Sequence, residues 1–116
     1  MLLPFSAEIY FYPTSVDFRK QMDGLIILIS DALQMNPTSG QIFIFRNRKA
    51  DKLKIIYWDN NGFWLLYRRL EKDKFKFPAP SDVSLQITTE QFQWLLSGLD
   101  ISNYVTKKEL KYSEFF

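Results

Sequence analysis

Arg46, Arg48, Lys49, Lys52 and Lys54 crowd one short stretch, Arg68 and Arg69 follow, and Tyr57, Trp58 and Trp64 lie between the two groups. Cations at that density can neutralise phosphates, and exposed aromatic rings can stack on bases or sugars, so these residue types suit a nucleic-acid surface. The competing reading is a solvated sheet face whose Lys and Arg discourage edge-to-edge pairing. From Gln41 to Pro78, ten cations stand against four carboxylates, whereas the rest of the chain has five cations and nine carboxylates. The formal charge of +2 therefore conceals a basic segment in an otherwise acidic chain. A local field of that sign attracts polyanions more strongly than the net charge suggests.

Other chemistries find less material. The chain contains neither His nor Cys, which removes imidazole acid-base catalysis, thiolate nucleophiles and the usual zinc sites. A metal-dependent nuclease would need Asp17, Asp23, Asp51 and Asp59 to converge within a few ångströms. Two of the four have a simpler role available: Asp17 suits a helix start, and Asp59 suits the turn Trp58-Asp59-Asn60-Asn61-Gly62. Arg19 reads as an ordinary ion-pair partner beside Asp17. The expectation is a protein that is not an enzyme, with no cofactor and no metal.

The elements that must position the cations follow from hydrophobic period. Ile42 to Arg46, Leu53 to Asp59 and Phe63 to Leu70 are runs rich in Ile, Phe, Tyr and Trp separated by polar turns, with a last short run at Phe75 to Phe77. This is the pattern of an antiparallel β-meander, with Asn61-Gly62 supplying the positive φ of a tight hairpin. Leu53, Ile55 and Tyr57 share one face, and Lys54, Ile56 and Trp58 share the other. One face is expected to pack on a helix and the other to carry aromatics with the cations.

Before the meander, Glu8 to Tyr12 fits a short edge strand ended by Pro13. Thr14 to Asp17 has capping-box spacing, and Phe18, Met22, Leu25, Ile26, Ile29, Ala32 and Leu33 recur at three and four, predicting one long helix from Asp17 to Leu33. Gly24 inside it either admits a close neighbour or breaks it; the continuous helix is the reading adopted. Asn36 to Gly40 is the exit loop. Beyond the meander, Pro78 to Asp82 is a linker and Ser84 to Ile87 a strand. Thr88 and Gln91 have capping-box spacing for a second, shorter helix near a sheet edge, whose stripe is Phe92, Leu95, Leu96 and Leu99 and whose stop is Gly98.

At 116 residues the chain suits one domain that buries roughly two-thirds of its unfolded surface. The assignment is a single α+β domain over residues 1–101 and a helical or frayed tail over 102–116. Met1 to Pro13 lacks a basic leader and is interrupted by Pro4, Glu8 and Pro13, so neither a signal peptide nor a membrane span is expected. The predicted location is the cytoplasm.

Several blocks then carry a resemblance: Val16-Asp17-Phe18-Arg19-Lys20, Asp23-Gly24-Leu25, Asn36-Pro37-Thr38-Ser39-Gly40, Ile42 to Lys49, Asp51 to Ile55, Trp58 to Glu71, Phe75 to Pro78 and Leu95 to Asp100. In order and spacing they resemble the small accessory protein of the insertion-sequence sixty-six family, the product of the element's second open reading frame. The sequence departs from that pattern at Gln21 and Ala50, where the family often has a small residue or glycine. The resemblance implies a protein encoded beside a larger transposase and associated with movement of the element, with the catalytic acids in that separate transposase.

Combining both lines, the expected function is assistance of DNA transposition by contact with the element ends. Arg46, Arg48 and Lys49 would hold phosphates, Lys52, Lys54, Arg68 and Arg69 would extend the patch, and Tyr57, Trp58 or Trp64 would stack. The alternative is an interaction module that docks the transposase, or a second copy of itself, through exposed aromatics rimmed by cations.

Overall fold

The structure is a computed structural model that describes residues 6–77 and 85–98. Its sheet has five strands in the order β4-β3-β2-β1-β5, with β1 at Ile9–Phe11, β2 at Ile42–Arg46, β3 at Lys52–Asp59, β4 at Gly62–Arg69 and β5 at Leu85–Ile87. The meander expected from the apolar runs is β2-β3-β4, paired antiparallel from Ile42↔Tyr57 through Asp59↔Gly62. The sheet as a whole is mixed, because β1 runs parallel to β2 and antiparallel to β5. A helix lies between β1 and β2, and a crossover of that kind delivers the chain back to the same end of the sheet, which makes the two strands parallel.

That helix is shorter than its apolar period suggests. α1 spans Met22–Ile27 and continues as a π-helical turn over Leu28–Ala32. The capping box at Thr14 to Asp17 does not start it; Gln21 is the cap residue, with no side-chain bond. The cause lies in the carbonyls that a helix from Asp17 would need: Lys54 Nζ donates to those of Phe18 and Lys20 at 3.0 and 2.9 Å, while Asp17 Oδ1 accepts the Arg19 amide at 2.9 Å. With those groups engaged, residues 17–20 form a turn. Gly24 lies in the first turn of α1, where a Cβ would meet Lys20 Cβ at 3.3 Å.

Both faces of the sheet are covered. On one, Phe43, Phe45 and Ile56 pack with Leu25 and Ile29 of the α1 segment. On the other, Ile9, Phe11, Ile42, Ile44, Leu53 and Ile55 pack with Phe75 and with Phe92 and Leu95 of α2, which spans Thr89–Leu96. The second helix therefore covers a face and does not sit at an edge, and that face is an apolar core beside which stand part of the expected cations and aromatics, Arg46, Arg68 and Trp64. Each fully buried Leu, Ile or Phe contributes about 1.5–3 kcal/mol relative to exposure, so the two clusters are what holds the layers together. Phe75 to Phe77 forms no strand; the Phe75 amide bonds the Ala50 carbonyl at 2.7 Å and its ring enters the core.

Local signals behave unevenly. The box at α2 forms as its spacing requires, with Thr88 Oγ1 accepting from the Gln91 amide at 3.0 Å and the Gln91 side chain accepting from the Thr88 amide at 2.8 Å. Gly98 ends the helix at φ +84. In the β3-β4 hairpin the positive φ belongs to Asn60, at 62°, and Gly62 is already in the strand. The linker Pro78 to Asp82, Leu99 and the tail over 102–116 lie outside the described residues.

Candidate nucleic-acid interface

The β2-β3 turn is built around Asn47, which is buried. Its Nδ2 donates to Asp51 Oδ1 at 2.6 Å and its Oδ1 accepts the Lys52 amide at 3.0 Å. The side chain thus bridges both arms of the turn and leaves Arg48 and Lys49 exposed at the tip. Ala50 closes the turn with φ 60, a conformation that suits glycine. The hydrogen bond from Asn47 holds the Asp51 carboxyl below its ordinary range, with Lys52 Nζ 3.7 Å away adding to the effect.

A second segment reaches the same place from a distant part of the sequence. The Val16 amide donates to the Arg46 carbonyl at 2.9 Å, continuing the β1-β2 pairing past the strand end. Lys54 then fastens Phe18 and Lys20: its ammonium lies 4.8 Å from the Phe18 ring centre while donating to both backbone carbonyls. Burial pushes the Lys54 ammonium below its ordinary pKa. Arg19 is projected outward and pairs with Asp17, Nη2 to Oδ2 at 2.6 Å, which holds the Asp17 carboxyl at about 2.

Between these two segments lies an open cleft of about 720 Å³. Val16 to Arg19 form one wall, Asn47 to Lys49 the other, and Lys52 and Tyr67 complete the lining. Four cations, Arg19, Arg48, Lys49 and Lys52, therefore border one concavity with an exposed tyrosine ring beside them. Multiple donors around a shallow basin match the needs of a phosphate backbone, and the ring offers a stacking surface.

The other residues singled out from sequence are distributed elsewhere. Lys54 is buried and its ammonium is occupied. Arg46 faces the α2 side, half-buried, with its guanidinium carbon 5.4 Å from the centre of the Phe77 ring. Arg68 faces that side too, since β-register sets it opposite Leu53. Arg69 is across from Lys52 on the cleft side, where Glu71 bonds its guanidinium at 2.8 Å. Tyr57 and Trp58 are half-buried, the latter edge-on to Phe63 at 4.9 Å. Trp64 is exposed, on the α2 side.

Sequence reasoning thus singled out Arg48, Lys49 and Lys52 but passed over Arg19 and Tyr67. Arg19 looked like a local ion pair, and no pattern in the sequence brings it beside residue 48. Nothing in the sequence marks Tyr67, whose exposure comes with the place of β4 at the end of the sheet. Among the described residues, no group of three or more Asp or Glu comes together in a way that could hold a metal ion, and no helix is long and apolar enough to cross a membrane.

The fold and cleft define a small mixed-sheet α+β domain with a basic concave surface. The chain belongs to the family described as IS66 Orf2 like protein, which it matches over residues 7–106, and so it is an insertion-sequence-associated protein. It is 43% identical over 96 residues to the uncharacterized protein y4jC of Sinorhizobium fredii (strain NBRC 101917 / NGR234), covering 83% of this chain and 81% of that one. It is 33% identical over 84 residues to the uncharacterized protein y4hO of the same strain, covering 72% and 73%. No solved structure matches the chain.

Proposed function

We propose that this chain is a non-catalytic accessory factor for transposition that holds DNA phosphates in the cleft between the Val16 to Arg19 segment and the β2-β3 turn. The observation that supports this reading is the meeting of Arg19 with Arg48, Lys49 and Lys52 around one basin, although the two segments are far apart in sequence. Arg48 and Lys49 project from a turn braced by Asn47, and Arg19 from a turn braced by Lys54. Rigid supports of this kind let long cationic side chains meet an anion without first ordering the backbone. Cleavage and joining of strands fall to the separate transposase.

The test is binding of the purified protein to a labelled duplex carrying the element's end sequence and to a scrambled duplex, each across a salt series. Binding that weakens steeply with salt supports phosphate contacts, and a preference for the end sequence adds base or shape readout. Absence of binding to either duplex at low salt overturns the reading and leaves docking to the transposase as the better account.

A further inference from the structure

We propose that β4 is a self-association surface, on which a second copy of this chain pairs antiparallel, edge to edge, with Leu66 opposite its own counterpart. Among the described residues, β4 ends the sheet and runs for eight residues, Gly62–Arg69, whereas the opposite edge is the three-residue β5. Proteins normally blunt a long edge with Lys, Pro, a bulge or a cover. The register of β4 with β3 is unbroken, and Phe63 to Tyr67 contains no charge and no proline. Its cations, Arg68 and Arg69, stand at one end only.

The backbone is oriented for such pairing. The Leu70 amide bonds the Asp51 carbonyl at 2.8 Å, so in the continuing ladder Leu66, Trp64 and Arg68 direct their backbone groups to β3. Antiparallel ladders alternate, and Phe63, Leu65, Tyr67 and Arg69 accordingly direct theirs off the edge.

Complementarity selects the second copy as occupant. Pairing at Leu66 sets Arg68 of one copy opposite Trp64 of the other, twice by symmetry, on the α2 side of the sheet. Trp64 is 47% exposed, and its indole nitrogen donates to Asp59 Oδ2 at 3.4 Å. A guanidinium on that ring meets a π face with a carboxylate close by, which favours the cation on both counts. The same register sets Arg69 opposite Phe63 and Tyr67 opposite Leu65 on the other side. A strand that begins with Phe63 and Trp64 and ends with Arg68 and Arg69 is thus complementary to its own reverse, as a two-fold interface requires. Because the two-fold axis is perpendicular to the sheet, both clefts would open on one face of the dimer.

The test is sedimentation equilibrium of the full chain over a concentration series, with circular dichroism to verify folding. Wild type is expected to show a monomer–dimer equilibrium. Trp64→Lys sets like charges opposite each other and Arg68→Glu removes the cation, so each should weaken dimerisation roughly tenfold or more. The double variant creates an opposite-charge pair at both sites and should dimerise better than either single variant. A wild type that is monomeric throughout overturns the proposal, as does a dimer indifferent to both substitutions or a double variant no better than the singles. DNA binding enters none of these readouts.

Discussion

Lys54 Nζ lies 3.0 Å from the carbonyl oxygen of Phe18 and 4.8 Å from the centre of its ring, so a strand lysine holds the segment that presents Arg19. Its expected role as part of an exposed patch gives way to a structural one. Replacing Lys54 with Met keeps most of the apolar stem but leaves the carbonyls of Phe18 and Lys20 without this partner. The loss should be about 1.5–3 kcal/mol, the range for a hydrogen-bonded charged group. Denaturant unfolding measures it, and amide exchange at residues 18–20 should quicken beyond the global change.

Ala50 provides an opposite case, a residue that costs stability where it stands. Its φ of 60 is unfavourable for any side chain with a Cβ. Ala50→Gly should stabilise the protein by about 1 kcal/mol, seen as a rise in the denaturant midpoint with an unchanged slope.

The meander and the α2 capping box were legible because short-range patterns decide them: runs of Ile, Phe and Tyr separated by polar turns, and Thr88 three residues before Gln91. The start of α1 was not, because the group that draws off the Phe18 carbonyl is 36 residues away. Distance in sequence also hid the cleft. Arg19 meets Arg48 only because the Val16 amide extends the β1-β2 pairing to the Arg46 carbonyl. The expected basic face divided for a related reason: alternation sends Arg46 and Arg68 to the α2 side and Lys52 and Arg69 to the cleft side.

Asp17 should titrate unusually low. Its ion pair with Arg19 holds the carboxyl at about 2, against an ordinary value of 3.8. A depressed carboxylate contributes stability that is present above the unfolded value and is lost as pH falls from about 3.8 to about 2. Both groups are solvent-exposed, so the sensitive readout is the carboxyl resonance in NMR. Arg19→Ala should raise that titration part of the way toward 3.8, because the amide of residue 19 still donates to Asp17 Oδ1.

In the proposed phosphate site the same pair would act as a brake on anion binding, since Asp17 already occupies the Arg19 guanidinium. Asp17→Asn keeps an oxygen for the Arg19 amide while removing the charge. It should tighten binding to a DNA duplex severalfold at low salt, with the gain shrinking as salt rises. Fluorescence anisotropy at two salt concentrations measures both effects.

The most direct test of the cleft as a phosphate site is the slope of log affinity against log salt for wild type and for a triple variant, Arg19→Gln with Arg48→Gln and Lys49→Gln. Removing one cation that neutralises a phosphate should reduce the magnitude of the slope by about 0.9, so the triple variant should bind more weakly with a slope shallower by roughly 2 to 3. Wild-type binding with the slope and affinity unchanged in the triple variant would contradict the account.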